Sequence, residues 1–187
     1  MSNRLYVALI HYPVTDKNGA TIASAVTNLD LHDIARACRT YGVRRYYVVT
    51  PLEDQAELAG QILDHWVTGA GSIYNPRRRR ALELVRVTPS FAAVLDDVAA
   101  EAGCRPITVA TTARQVEGAL SYRRLRAMLE KPVPVVLAFG TAWGLDAAFM
   151  AQANFTLDAL TGGGDYNHLS VRSAAAIILD RLMGARR

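Results

Sequence analysis

Three short segments of this 187-residue chain combine glycine with small polar side chains, a pattern suited to a ligand held by main-chain atoms. The last of them places Gly162, Gly163 and Gly164 before Asp165, His168 and Ser170. It runs into a helix whose first face, Ser170, Ser173, Ala174, Ala175 and Ala176, carries little side chain. Glycine removes the Cβ that would block strained loops and close approach. Taken alone, the tract also reads as a flexible loop before an ordinary core helix. A second segment, Val133 to Leu145, is a short apolar run ending in Phe139-Gly140, followed by Thr141, Ala142, Trp143 and Gly144. It predicts a buried strand, a tight turn and a helix from Leu145 to about Gln152. The third is a β-branched strand, Ile107 to Thr111, emptying into Thr112, Ala113 and Arg114. Ligands of open α/β sheets sit in the crevice at the carboxyl ends of the strands. Three small, polar strand ends therefore predict one pocket lined mainly by backbone. Such a pocket suits an adenine nucleoside, whose ring edges pair with N–H and C=O groups.

The elements that must bring these ends together alternate between strand and helix. Strand Arg4 to Ile10 leads through a polar loop, Tyr12 to Gly19, into a helix over Leu31 to Tyr41. Strand Tyr46 to Thr50 precedes a helix over Glu53 to Trp66. A glycine-rich, basic loop through Gly69, Tyr74 and Arg77 to Arg80 follows. Next come strand Leu82 to Val87, helix Ser90 to Ala102, strand Pro106 to Thr111, helix Tyr122 to Leu129 and strand Val133 to Phe139, with a last helix over Leu169 to Met183. This βα alternation predicts an α/β fold with a mostly parallel sheet covered by helices on both faces. Residues 1–187 are expected to form a single domain, with no internal repeat and no linker.

Together the three segments resemble the SPOUT superfamily of S-adenosylmethionine-dependent RNA methyltransferases. Thr111-Thr-Ala-Arg114 is similar to its first cofactor loop, Phe139-Gly-Thr-Ala-Trp-Gly-Leu145 to its second, and His168 to Ile177 to its third. In the 2′-O-ribose branch an asparagine, an arginine six residues on and a glycine six further are usual. Here Arg36 and Gly42 match and Asp30 stands at the asparagine position. In the third loop Ser170 replaces the usual asparagine and His168 the usual serine. The resemblance implies a C-terminal trefoil knot, S-adenosylmethionine as donor, an RNA substrate (tRNA or rRNA) and a homodimer formed through the knot region. It implies cofactor contacts from Thr111, Thr112, Phe139, Gly140, Gly144, Leu160, His168, Leu169 and Ser170, mostly through main-chain atoms, and no metal.

The donor's sulfonium makes its methyl group electrophilic, so the protein has to align a nucleophile and handle its proton. If the nucleophile is a ribose 2′-hydroxyl, the motif match makes Arg36 a catalytic candidate, reaching toward the partner's cofactor. A guanidinium stays protonated, so stabilising a developing alkoxide is the easier role. Asp30 is placed to orient it. His168 is the second catalytic candidate, as a base, with a structural bond to a backbone group as its other reading. Asp165 either counters the sulfonium or steadies the glycine loop. Trp143 is expected to pack against the knot or a neighbouring subunit rather than on RNA.

Composition bounds the rest. With 51% hydrophobic and 20% charged residues the chain falls in the globular range. No apolar stretch is long enough to span a bilayer, and the first apolar run reads as a core strand rather than a signal. Cys38 and Cys104 have no metal-site or disulfide spacing, which fits a reducing cytoplasm. A net charge of +4 favours an anionic partner. Arg77, Arg78, Arg79 and Arg80 beside Tyr74 read as phosphate contacts to RNA or as a solvated face, and Arg123, Arg124, Arg126, Arg186 and Arg187 add positive charge. Two other classes stay open: a non-catalytic RNA-binding protein of the same fold, and an unknotted α/β enzyme acting on a nucleotide-like substrate. The absence of G-x-G-x-x-G after the first strand and of G-x-x-x-x-G-K-[ST] anywhere counts against nicotinamide enzymes and NTPases.

Overall fold

The computed structural model describes residues 4–185; Arg186 and Arg187, counted above among the basic residues, lie outside them. In chain order the elements are β1 (Leu5–Ile10), β2 (Val14–Thr15), β3 (Thr21–Ile22), α1 (Asn28–Thr40), β4 (Arg45–Val49) and α2 (Glu53–Val67). Then come α3 (Ala70–Tyr74), α4 (Pro76–Leu82), β5 (Val85–Thr88), α5 (Phe91–Ala102) and β6 (Ile107–Ala110). The last are α6 (Tyr122–Leu129), β7 (Val135–Gly140), α7 (Ala147–Gln152), β8 (Phe155–Thr156) and α8 (Val171–Met183).

Six strands form one sheet in the order β5-β4-β1-β7-β6-β8, every pairing parallel. Parallel strands are covered on both faces, and β1, Leu-Tyr-Val-Ala-Leu-Ile, is accordingly buried throughout. Its side chains divide by the two-residue period of a strand. Leu5, Val7 and Leu9 join a core with α1, α2, α4, α6 and α8, while Tyr6, Ala8 and Ile10 join a second core with α5 and α7. The first core is built from helical stripes of period i, i+3, i+4, i+7: Leu31, Ile34, Ala35 and Cys38 on α1, and Ala175, Ile178, Leu179 and Leu182 on α8. The predicted α/β sandwich of helices and parallel sheet is therefore the observed one.

Two segments differ from the sequence expectation. The polar loop after β1 contains a small antiparallel hairpin, with Val14 opposite Ile22 and Thr15 opposite Thr21. Strands of two residues are too short to show a periodicity, so the pattern could not announce them. The basic segment is helical rather than looped. Asn75 caps α4 by accepting from the Arg78 N–H at 3.0 Å, and Pro76 occupies the first turn, where its missing N–H costs nothing. The glycines before it serve close packing of α3 on α2: a Cβ at Gly71 would lie 2.6 Å from Trp66 Cε3.

Candidate active site

The carboxyl ends of β1, β7 and β6 lie side by side, since Ile10 is level with Gly140 and Ala110 with Ala138. Each strand end then turns into a loop that is fastened to its neighbour. Thr111 directs both its N–H (2.9 Å) and its hydroxyl (3.0 Å) to the Ala138 carbonyl. Thr112 Oγ1 accepts from the Arg114 N–H at 3.1 Å, closing the turn. The glycine-rich loop after β8 reaches back to this turn, with Asn167 Nδ2 donating to the Ala113 carbonyl at 3.0 Å.

The loop after β7 is the most constrained. A Cβ on Gly140 would stand 2.5 Å from the Leu145 nitrogen, so the turn closes only over a glycine. Gly144 has φ +107° and Ala142, with a side chain, has φ +50°. The β2–β3 hairpin straps this loop: Thr15 N donates to the Gly144 carbonyl at 2.9 Å and Trp143 N to the Thr15 carbonyl at 3.1 Å. Thr21 Oγ1 donates to Asp146 Oδ2 at 3.2 Å. Beneath it, Thr141 Oγ1 donates to the Ile10 carbonyl (3.0 Å) and lies 2.5 Å from Ser24 Oγ, which lies 3.0 Å from His11 Nδ1. With the Thr141 proton on Ile10, the Ser24 proton must lie toward Thr141, so His11 Nδ1 donates to Ser24. That leaves Nε2 of a fully buried imidazole as a bare acceptor without a hydrogen-bond partner. Burial holds the His11 imidazole below its ordinary value, and the nearby Asp30 charge opposes this only in part.

A pocket of about 240 Å³ opens between the glycine-rich loop and α8, lined by Leu160, Thr161, Gly162, Tyr166, Asn167, His168, Leu169, Ile177 and Arg181. Of the residues expected to hold a cofactor, it gathers Leu160, His168 and Leu169. Thr111, Thr112, Gly140 and Gly144 belong to the adjoining loops and do not line it. Phe139 is core, with 1% of its surface exposed, so only its main chain can face a ligand. Ser170 caps α8, accepting from the Ser173 N–H at 3.3 Å. Gly162, Gly163 and Gly164 have open space at their Cβ positions and none has a positive φ; nothing in the chain's own packing requires them to be glycine. The apolar walls of Leu160, Leu169 and Ile177 beside main-chain and side-chain polar groups fit part of a nucleoside-bearing cofactor.

The two catalytic candidates stand apart from the buried network. His168 is exposed, its ring edge-on to Tyr166 at 6.4 Å, and the structural bond to a backbone group is not seen among the described residues. Arg36 is exposed on α1 without an ion pair among the described residues. Asp30 does not orient it: six residues along one helix turn the side chains about 240° apart. Asp30, buried, instead accepts from Arg172 Nη1 at 3.2 Å, and Arg172 Nε lies 3.5 Å from Asp33. Trp143 packs against no core of its own chain and is 62% exposed. In the basic segment, Arg78 stacks over Trp66 at 4.3 Å and Arg79 pairs with Glu83 at 2.9 Å. Arg77 and Arg80 make no ion pair among the described residues, and Tyr74 beside them is 87% exposed.

Residues 4–184 match the family described as SAM-dependent RNA methyltransferase. The chain belongs to that family. A tRNA (guanine-N(1)-)-methyltransferase of Oleidesulfovibrio alaskensis is 43% identical over 96% of this chain, which spans only 42% of that relative's length. A protein of Aquifex aeolicus without an assigned function is 37% identical over the whole chain and 92% of its own length. Among solved structures, the SpoU methyltransferase AviRb of Streptomyces viridochromogenes, in complex with AdoMet, aligns with TM-score 0.58 at 16% identity over 98% of this chain and 58% of its own. The fold is thus that of the SPOUT methyltransferases, and the family's methyl donor is S-adenosylmethionine. In this RNA methyltransferase the strap ties the loop after β7 to the hairpin and to the end of β1, and the clamp of Arg172 on Asp30 ties the start of α8 to α1. From sequence, His11 and His32 lie near the proposed cleft with weaker claims than His168, and Arg172 is not singled out. The signal for His11 was its position directly after an all-apolar strand; Arg172 carried none.

Proposed function

We propose that this RNA methyltransferase acts on tRNA and methylates a ribose 2′-hydroxyl, as one SPOUT-type domain tied in a C-terminal trefoil knot and paired as a homodimer. The observation that carries the reading is the meeting of three fastened loops at the carboxyl ends of β1, β7 and β6. The donor supplies an electrophilic methyl group; the protein must seat the donor, present the hydroxyl and take up its proton. Thr111, Thr112, Phe139, Gly140, Gly144, Leu160, Leu169 and Ser170 serve the first task, chiefly through main-chain atoms. His168, exposed at the pocket rim, is positioned to accept the proton, and Arg36 to stabilise the developing alkoxide across the dimer. Arg77 and Arg80 contact phosphates; Arg78 and Arg79 are assigned to folding instead. In support of the knot, β8 extends the sheet outside β6 while α8 returns to pack on α1. The dimer would cover the exposed apolar side chains of Ile177 on α8 and of Leu169 just before it, and sedimentation at micromolar concentration reads it directly. A reducing cytoplasm, expected from the two lone cysteines, belongs to the same reading; no helix among the described residues is long and apolar enough to cross a membrane.

The test is methyl transfer from labelled S-adenosylmethionine to unfractionated tRNA, followed by nucleoside analysis. A 2′-O-methylated nucleoside, lost in Arg36→Ala with cofactor affinity retained, is expected. A base-methylated nucleoside would overturn the ribose assignment. Cofactor binding without transfer to tRNA or rRNA would favour a non-catalytic RNA-binding role, motivated by Asp30, His168 and Ser170 at altered motif positions.

A further inference from the structure

The loop after β7 pairs a rigid backbone with an unprotected aromatic ring. Thr141 is tied below to Ser24 and Ile10, Gly144 and Trp143 are tied laterally to Thr15, and Gly140 is closed onto Leu145. Between them Ala142 is held at φ +50°, a conformation that residues with a Cβ seldom adopt outside functional loops. This framework leaves Trp143 62% exposed on the loop that follows the carboxyl end of β7. Tyr12, 44% exposed, leaves the adjacent end of β1, whose Ile10 is level with Gly140. Exposed loops are ordinarily polar and mobile. A large apolar ring left exposed on a backbone so tied is arranged to receive a flat partner.

We propose that Trp143 is a stacking platform for a nucleobase of the RNA substrate, flanking the nucleotide that enters the crevice. The occupant is argued from three features. The family acts on RNA, whose unpaired bases are recognised by stacking on aromatic side chains. The ring sits on the loop after β7, whose end lies beside those of β1 and β6 where the proposed function puts methyl transfer, so a base stacked there belongs to the target nucleotide or its neighbour. The stack needs no hydrogen-bonding edge of the ring, and the main-chain N–H of Trp143 and the carbonyl of Gly144 are already engaged by Thr15. Trp143 therefore supplies affinity and placement, with little discrimination between bases. The assignment rests on the RNA-methyltransferase reading above and adds to it where the RNA is held.

The experiment follows intrinsic fluorescence of the full chain and of Trp143→Phe, titrated separately with S-adenosylmethionine and with unfractionated tRNA, and filter retention of tRNA by Trp143→Ala. Trp66 is the other tryptophan, so the difference between the two proteins reports Trp143 alone. We expect tRNA to quench the Trp143 signal, Trp143→Ala to weaken tRNA retention about tenfold, and Trp143→Phe to retain most of it. Cofactor affinity should stay within about twofold of the parent, in the range of measurement. Quenching by S-adenosylmethionine alone would assign the indole to the cofactor and overturn the proposal. So would emission already blue-shifted and shielded from acrylamide without RNA, since a second copy would then cover the ring. Unchanged retention by Trp143→Ala would overturn it while leaving the RNA-methyltransferase reading intact; no retention by the parent protein would overturn both.

Discussion

His11 is a fully buried imidazole with only one of its ring nitrogens partnered. Its Nδ1 is used by Ser24, its Nε2 is bare among the described residues, and burial lowers its pKa. His32 is shifted in the same direction, by burial first and by the neighbouring Arg78 charge second. A histidine whose folded pKa lies below the unfolded value near 6.5 binds its proton more readily in the unfolded chain. Folding stability contributed by His11 is therefore complete above pH 6.5 and declines as the pH drops below it. Urea unfolding between pH 7 and 5 should show this loss, and His11→Gln should flatten it. An equally steep curve in His11→Gln would mean that other groups carry the effect.

At the scale of elements, the joint between α1 and α8 is asymmetric. Asp30 is buried, whereas Arg172 keeps about a third of its side chain in solvent and has Asp33 as a second partner. Removing the arginine strands a buried carboxylate; removing the carboxylate leaves an arginine that water and Asp33 can serve. Arg172→Met should therefore cost about 3 kcal/mol and Asp30→Asn about 1 kcal/mol. The double variant should be more stable than Arg172→Met alone, and denaturant midpoints of the three would refute this if the two single losses simply added. This clamp was not legible in the sequence, because Asp30 and Arg172 meet only after the sheet has brought the chain's two halves together. The strands were legible, since runs such as Leu5 to Ile10 and Val135 to Phe139 carry their burial in their composition. The β2–β3 hairpin was missed although Asp16, Asn18 and Gly19 close its turn, because its strands are only two residues long and are held in place by tertiary bonds to Gly144 and Asp146. The Arg77 to Arg80 run was read as a loop from its glycines and proline, yet both signals belong to a helix start and a close packing.

Across the whole molecule, positive charge is distributed by role rather than by count. Arg44 and Arg45 pair with Glu101, Arg79 with Glu83, and Arg172 with Asp30 and Asp33. Arg77 and Arg80, on a helix that shares its core with α1, are free to meet a polyanion. Replacing both by Ala should lower the slope of log affinity for tRNA against log salt by about 1.5, as loss of two phosphate contacts requires. Arg78→Ala should instead change stability, by about 1 kcal/mol through its stack on Trp66, and leave the salt slope nearly unchanged. Filter binding across a salt series separates the two, and a slope altered only by Arg78→Ala would reverse the assignment. The basic residues could thus be located from sequence, whereas which of them are paired within the chain required the fold.

The position of β1 has a consequence for folding. It precedes the other five strands of the sheet in the chain, yet it lies at the middle of the sheet, and its register partner on one side, β7, follows only after β4, β5 and β6. Pairing with β4 can begin early, but a wholly apolar strand must keep one edge open until β7 arrives. Such late, long-range closure slows folding and leaves the unfinished chain exposed to misassociation. In pulse-labelled hydrogen exchange during refolding, the amides of β1 that bond to β7 should become protected together with β6 and β7, after those facing β4.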